Sequence, residues 1–290
     1  MDGLRAKGAA MNPIRMTILA DDCVAARSAR GEHGLCFHIE ANSRRILFDT
    51  GQGLVLADNA LALGIDLGAV DTIVLSHGHY DHTGGLPAVL AAARGPVTLH
   101  LHPAALEPKY HTARSIGLSP AARAALTHPN LALVQSREPG EIAPGLFRTG
   151  EIPRSHPEES PTEKFHLDPD GREPDLLLDD QSLYFDTPHG IVVLLGCAHA
   201  GVIHILEHVQ TLTNHRPIHA VIGGMHLGAA SPARRQRVID RLRQFAPPLL
   251  VPMHGTGMNA MADLWQAFPG ACRPGGAGAV FEFLPHKDPS

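Results

Sequence analysis

The feature that most constrains this chain is a run of metal-binding side chains directly after an apolar strand. Residues 70–75 lead into Ser-His-Gly-His-Tyr-Asp-His, then Thr-Gly-Gly and a helical segment. The ligand-type residues are His77, His79, Asp81 and His82. Neutral imidazoles and carboxylates bind zinc and similar divalent metals. Because a strand-end loop lets alternate residues converge, this pattern favours a metal site over a loop of solvated histidines.

Three later histidines also lie where an apolar strand meets a glycine-containing turn. They are His199 in Gly-Cys-Ala-His-Ala-Gly, His226 in Gly-Gly-Met-His-Leu and His254 in Pro-Met-His-Gly-Thr-Gly. The chain contains 20 histidines. The others, among them His33, His38 and His204, lack such company, and we predict most of them at the surface.

Short apolar runs alternate with helical segments, which predicts a mixed α/β chain with two sheets. The strand-like runs include residues 14–19, 72–75, 191–195 and 249–252, and the helical ones include 86–93, 202–212 and 232–245. We predict one domain over residues 12–286 after a flexible leader at 1–11. Residues 154–180, rich in Pro, Glu and Asp, are predicted to form a lid or specificity loop, with a mobile solvated loop as the alternative.

Charge and cysteine content exclude several classes of partner. The net charge is -5, from 24 Lys and Arg against 29 Asp and Glu, so nothing favours nucleic acid or an anionic membrane. No apolar run approaches the roughly 18 residues of a membrane span. Four separated cysteines without a Cys-x-x-Cys pair indicate reduced thiols in the cytoplasm. We expect a small anionic substrate. The sequence does not determine whether the protein forms a homo-oligomer.

The His-x-His-x-Asp-His motif, followed by Thr-Gly-Gly, resembles the metallo-β-lactamase fold superfamily. Residues 46–51, Ile-Leu-Phe-Asp-Thr-Gly, resemble its upstream strand. The three strand-end histidine segments, with Thr-Gly-Glu-Ile-Pro-Arg at 149–154, resemble its dihydropterin-type branch, whose named members are synthases of a ribofuranosylaminobenzene-phosphate pterin. The resemblance implies an α/β fold: a four-layer αβ/βα sandwich of two mixed β-sheets flanked by helices.

The resemblance also implies two divalent metal ions, with zinc expected and manganese or iron as alternatives. It places His77, His79 and His199 on one metal, and Asp81, His82 and His254 on the other. Asp49 would orient a ligand imidazole. Many members have a bridging Asp where this chain has Gly196-Cys197. Either His199 is the ligand and no bridging carboxylate exists, or Cys197 is a soft ligand; we favour His199.

Other residues are candidates for catalysis or for contact with substrate. Asp81 and His226 are predicted to be catalytic, with His226 donating to a developing oxyanion. Glu151 lies where other superfamily members often have a histidine ligand. Arg154 and Tyr110 are candidates to contact an anionic group. The alternative for each of these last four is an ordinary strand-end or solvated side chain.

The leading functional hypothesis is a metal-dependent hydrolase. A hydroxide activated between two metals would attack a phosphate ester, a phosphate diester or a lactone-like ester. One alternative is a metal-dependent pterin-pathway synthase that condenses a phosphoribosyl-type precursor, and another is a metal-bound, non-catalytic binding protein. The sequence has no Gly-x-Ser-x-Gly elbow, P-loop or dinucleotide fingerprint, so serine and nucleotide-cofactor chemistry have no support.

Overall fold

The computed structural model describes residues 13–156, 159 and 164–286, and most of its strands fall into two large sheets. The strands are β1 (Ile14–Ala20), β2 (Cys36–Ala41), β3 (Arg44–Phe48), β4 (Thr72–Val74), β5 (Val97–Leu101), β6 (Tyr110–His111), β7 (Arg114–Ser115), β8 (Leu131–Gln135), β9 (Gly140–Ala143), β10 (Leu146–Arg148), β11 (Phe165–His166), β12 (Leu183–Thr187), β13 (Gly190–Leu195), β14 (Ile218–Gly224), β15 (Leu249–Met253) and β16 (Val280–Phe283). The helices are α1 (Leu56–Ala62), α2 (Tyr80–Thr83), α3 (Leu86–Ala92), α4 (Pro120–Ala125), α5 (Val202–Leu212), α6 (Pro232–Phe245) and α7 (Met258–Ala267).

Both large sheets are mixed. The first has seven strands in the order β16-β1-β2-β3-β4-β5-β8, antiparallel from β16 to β3 and parallel from β3 to β8. The second has six strands in the order β15-β14-β13-β12-β10-β9, parallel from β15 to β13 and antiparallel beyond. Parallel neighbours need a crossover, and α3, α5 and α6 lie in three of these connections.

Hydrophobic side chains form three layers of core. The central layer joins the facing sides of the two sheets, where Phe37 and Phe48 of the first sheet share a cluster with Phe185 of the second. A second layer lies between the first sheet and helices α1, α3 and α4. A third lies between the second sheet and α5, α6 and α7. Helices therefore cover the outer face of each sheet, which confirms the predicted four-layer αβ/βα sandwich.

The sequence pattern did not predict two small features, a short helix and a small sheet. Helix α2 has four residues, and β6, β7 and β11 are two-residue strands of a separate sheet ordered β11-β6-β7. Such short elements carry no measurable hydrophobic period. Strand β11 belongs to the predicted lid at 154–180, so this segment pairs with residues 110–111. The predicted leader at 1–11 lies outside the described residues.

No helix in the described part of the chain is long and apolar enough to cross a membrane. All four cysteines are free thiols, three of them buried.

His38 and His204, named above among the histidines expected at the surface, are buried, so that prediction was wrong for them. His38 is 4% exposed in β2, where its cross-strand neighbours Thr17 and Leu47 are buried as well. His204 is 1% exposed in α5, and its Nε2 accepts a hydrogen bond from the backbone N–H of His156. Neighbouring parts of the fold cover each ring, which residue type alone does not reveal.

The buried ring of His38 is expected to make the fold sensitive to acid. Burial lowers its pKa from 6.5 to about 4, so between these values the unfolded chain binds a proton that the folded protein does not. This contribution to stability is complete above pH 6.5 and is lost as the pH falls toward 4. We expect His38→Phe to reduce the acid-induced loss of unfolding free energy by about 1–3 kcal/mol. Urea unfolding at pH 7 and pH 4 measures it, and an unchanged pH dependence in the variant would contradict it.

Candidate metal centre

The candidate site lies at one edge of the sandwich, where several strands end. The loop after β4 carries residues 76–82, and the turn after β13 carries Cys197 and His199. His226 follows β14, and His254 follows β15. Because the carboxyl ends of neighbouring parallel strands meet at the same edge of a sheet, these distant segments converge.

The first group of metal-type side chains consists of His77, His79 and His199. One ring nitrogen from each lies within 4.8 Å of the others, and all three residues are buried. The ring centroids are 4.5 Å apart for His77 and His79, and 4.7 Å apart for His77 and His199. Three imidazoles at this spacing can share one divalent cation.

The second group consists of His82, His254 and Cys197, whose ligand atoms also lie within 4.8 Å of one another. Asp81 joins it: its Oδ2 is 3.4 Å from His254 Nε2 and 4.0 Å from His82 Nε2. Cys197 also belongs to a group with His199 and His226. The sequence posed His199 and Cys197 as alternatives, but the structure brings both to the site, with Cys197 between the two groups.

Oxygen atoms hold the outer nitrogens of three of these rings. His77 Nδ1 lies 2.9 Å from Ser76 Oγ. His82 Nδ1 lies 2.7 Å from Asp49 Oδ2, and His254 Nδ1 lies 2.8 Å from Asp22 Oδ1. Metal-binding histidines usually have their second nitrogen held in this way. The Nε2 atoms of His77, His79 and His82 are buried and make no hydrogen bond within the described residues. Unpaired buried nitrogens that converge fit a bound cation.

The electrostatics of the site suit a cation as well. Burial lowers the pKa of His77 and His79 well below 6.5, so both rings are neutral and can donate a lone pair. Burial alone would raise the pKa of the Cys197 thiol, but His199 and His226 lower it well below its usual range. Burial opposes the charged form of His82, yet Asp49 and Asp81 raise its pKa to about 10. The site thus holds neutral donors at His77 and His79, acidic groups, and a His82 ring whose proton a metal would have to displace.

Tight local backbone holds the ligand loops together. At Gly196 a Cβ atom would lie 2.2 Å from Ser76, so only glycine allows the two loops to approach this closely. Asp49, Ala198 and His226 have positive φ angles of 59°, 56° and 46°. Non-glycine residues seldom adopt this conformation, and such strain is common at functional sites.

Both groups open onto a cavity of about 260 Å³. Its wall includes His33, His79, Tyr80, Asp81, His111, Arg114, Phe165, Cys197, His199, His226 and His254. The Phe165 ring, carried by β11, lies 5.3 Å from the His79 ring and 5.4 Å from the His199 ring. A larger cavity of about 390 Å³ lies beside Arg15 and His38, and none of the metal-type groups found in the described residues lines it.

Three predicted candidates lie outside the two groups. Glu151 is half-buried, with Oε2 3.4 Å from Nε2 of His102. Arg154 donates a hydrogen bond of 2.6 Å to the carbonyl oxygen of Leu177. This bond joins two parts of the 154–180 segment. Tyr110 lies in β6, whose next residue, His111, lines the cavity.

His226 does reach the site. Its ring centroid lies 4.2 Å from that of His199, and its Nδ1 lies 3.5 Å from Cys197 Sγ.

The sequence reasoning missed several residues that the structure places at the site. His33 is exposed, as expected, but its Nε2 lies 3.2 Å from Asp81 Oδ2, which places the ring beside the site. Asp22, which contacts His254, is the second residue after β1 and follows Asp21. The available signal for Asp22 was the pair of acidic residues, Asp21 and Asp22, after an apolar strand. The histidines were selected by the same criterion, a ligand-type side chain after an apolar strand. His33 has no such signal, since it lies in the loop before β2 and does not closely follow an apolar strand.

Residues 29–254 match the sequence model of the metallo-beta-lactamase superfamily. Two relatives from Methanocaldococcus jannaschii align over most of the chain. The uncharacterized protein MJ0448 is 34% identical over 253 residues, which covers 86% of this chain and 93% of that protein. The other is named 7,8-dihydropterin-6-methyl-4-(beta-D-ribofuranosyl)-aminobenzene-5'-phosphate synthase, and it is 29% identical over 284 residues, or 93% of this chain and 97% of that protein.

A solved structure is similar over nearly the full length. Tm1679, described as a metal-dependent hydrolase of the beta-lactamase superfamily, matches with a TM-score of 0.79 and 31% identity, covering 93% of this chain and 99% of its own. The resemblance drawn from the motifs, including that to the dihydropterin-type branch, is confirmed by these matches. The chain belongs to the metallo-β-lactamase superfamily.

Proposed function

We propose that this protein is a metal-dependent hydrolase, with phosphate esters, phosphate diesters and lactone-like esters as candidate substrates. The observation that carries the proposal is the convergence of two ligand groups on one cavity, with Cys197 between them. A site of this kind provides places for two divalent ions side by side. Tm1679, which is similar over 93% of the chain, adds support because it is described as a metal-dependent hydrolase.

In this proposal His77, His79 and His199 hold one metal, and Asp81, His82 and His254 hold the other. Cys197 contributes a thiolate near both. Zinc suits this mixture of imidazole, carboxylate and thiolate, and manganese or iron are the alternatives. When bound, such a pair of ions acidifies a water nucleophile and stabilises negative charge on the ester oxygens.

The chain's own residues bind and orient the substrate. Phe165 shields the two histidine rings beneath it from water on the cavity side. The Arg114 guanidinium carbon lies 5.6 Å from the centre of the Tyr80 ring at the cavity wall. No acidic side chain of the described residues pairs with Arg114, so its guanidinium can bind an anionic group of the substrate. His226, beside Cys197, can donate a hydrogen bond to a developing oxyanion.

Hydrolysis of a small panel of esters tests the proposal. We expect protein loaded with zinc or manganese to hydrolyse a phosphate monoester, a phosphate diester or an acyl lactone. A chelator should stop this turnover, and added metal should restore it. If fully loaded protein binds these compounds and hydrolyses none of them, the hydrolase proposal fails and a binding role is favoured.

Arg114→Ala is expected to weaken binding of anionic substrates selectively. Loss of the unpaired guanidinium should raise KM for a phosphate ester about tenfold, equivalent to ~1.4 kcal/mol, with little change in kcat. KM for a neutral lactone should not change. The control is Arg172→Ala, because Arg172 is exposed and pairs with Asp170 away from the cavity. An equal rise in KM for both substrates would contradict an electrostatic role for Arg114.

A second candidate function is the synthase chemistry of the dihydropterin branch. The relative of that name, aligned over 93% of this chain, favours it. The two functions differ in their requirement for a second organic substrate, because a condensation joins two molecules whereas hydrolysis adds water. Product formation only when a phosphoribosyl-type and an aminobenzoate substrate are both present would favour the synthase. Three further points remain predictions from the sequence: a cytoplasmic location, the lack of a nucleic-acid partner, and a possible homo-oligomer.

A further inference from the structure

A buried charge cluster, formed by Lys109, Asp175 and Asp179, contacts the loop that carries His77 and His79. Lys109 is fully buried, and its Nζ is 2.9 Å from Asp175 Oδ2 and 3.0 Å from Asp179 Oδ1. The Asp179 side chain is 0% exposed and that of Asp175 is 6% exposed. A buried ammonium is costly without carboxylate partners, so the chain maintains this cluster against a desolvation cost.

Asp179 uses its second oxygen on the ligand loop. Its Oδ2 accepts a hydrogen bond of 2.8 Å from the backbone N–H of Gly78, the residue between His77 and His79. On another side Gly78 is packed closely, since a Cβ there would lie 2.2 Å from the carbonyl oxygen of Ala105. The peptide between the two histidines is therefore held by Asp179 and by a close backbone contact.

Asp175 shares the lysine but has different remaining contacts. Its Oδ1 accepts from the backbone N–H of Leu177 at 2.8 Å, and its own N–H donates to the carbonyl of Phe165 at 2.9 Å. These contacts lie within the 165–177 segment and do not touch the ligand loop. Asp175 and Asp179 can therefore be compared directly. Each contacts Lys109 through one carboxylate oxygen, but only Asp179 uses its other oxygen to bind the loop that carries the ligands.

We propose that Asp179 is a positioning residue that holds His77 and His79 in place for metal binding through the N–H of Gly78, with Lys109 fixing its carboxylate. The inference rests on the proposed metal site. Both oxygens of Asp179 act as acceptors, one for an ammonium and one for an N–H group. Asparagine has only one acceptor oxygen, so its amide NH₂ would face either Lys109 or Gly78, and both of these are donors.

The experiment compares Asp179→Asn with Asp175→Asn in the full-length protein. The readout is the affinity for the first equivalent of Zn²⁺, measured by competition with a coloured chelator, together with thermal unfolding of the metal-free protein. We expect both variants to lose stability. Only Asp179→Asn should lose metal affinity, by about tenfold to hundredfold, as is typical when a partner that orients metal ligands is removed. The exposed Asp170→Asn controls for loss of a carboxylate in the same segment.

Two results would overturn the inference. The first is wild-type affinity in Asp179→Asn, and the second is an equal loss of affinity in Asp175→Asn, which would indicate a purely structural role for the cluster. If Asp179→Asn does not fold, Asp179→Glu replaces it with the same expected order, because it keeps the charge for Lys109 and displaces the acceptor from Gly78. The proposed function can fail separately, since ester turnover by the wild-type protein does not enter this comparison.

Discussion

Substituting His79 by alanine is expected to abolish ester hydrolysis without unfolding the protein. The substitution removes one of three imidazoles whose nitrogens converge within 4.8 Å. Metal ions contribute several kcal/mol of transition-state stabilisation, so loss of about 4 kcal/mol corresponds to a roughly thousandfold fall in kcat/KM. The same variant should lose about one equivalent of bound metal.

Elemental analysis and steady-state kinetics on the purified variant measure both effects. The matched control is His189→Ala, which removes an exposed imidazole in the turn between β12 and β13. Circular dichroism establishes that each variant is folded. Unchanged turnover in a folded His79→Ala variant would contradict the account.

Asp49→Ala is expected to reduce both stability and metal binding. Asp49 is fully buried, and its carboxylate accepts from the backbone N–H and the hydroxyl of Ser76, each at 2.7 Å. Its Oδ2 also lies 2.7 Å from His82 Nδ1. Buried donors left without a partner cost about 1–3 kcal/mol each, so the unfolding free energy should fall by about 3 kcal/mol. Without its partner, the His82 ring should hold metal about tenfold to hundredfold more weakly.

Urea unfolding of metal-free protein and zinc titration separate the two effects. Asp49→Asn, which retains an acceptor of the same shape, should lie between alanine and wild type in both measurements. The exposed Asp58, paired with Arg30, provides the control substitution Asp58→Ala. A stable Asp49→Ala variant with wild-type zinc affinity would show that Asp49 does not orient His82.

The sequence predicted the sheets and the outer helices because their apolar runs and helical spacing can be recognised along the chain. The strand-like runs at 72–75 and 191–195 correspond to β4 and β13, and the helical spacing at 202–212 corresponds to α5. Both strands are buried on two faces, so they read as continuous apolar runs. In contrast, β6, β7 and β11 are two residues each, and their pairing depends on contacts between residues far apart in the chain.

The metal-type histidines were predictable because each lies in the short segment that follows an apolar strand. Their supporting partners were harder to predict. Asp22 and Asp179 approach the ligands from segments 232 and 101 residues away in sequence from their partners, His254 and Gly78. The sequence analysis favoured His199 over Cys197 as the ligand, but it had no signal that both side chains would lie at the site. In the fold, Ala198, which separates Cys197 from His199, has a positive φ angle, and the side chains of both neighbours reach the site.

The central claim is that two ligand groups hold two divalent metals at one cavity. The measurement that tests it most directly is metal stoichiometry per chain, by elemental analysis of protein purified without chelator and then reconstituted with zinc. We expect close to two equivalents in the wild-type protein and about one in His79→Ala. A single equivalent in the wild-type protein would contradict the dinuclear site, and a reproducible zero after reconstitution would contradict the metal centre altogether.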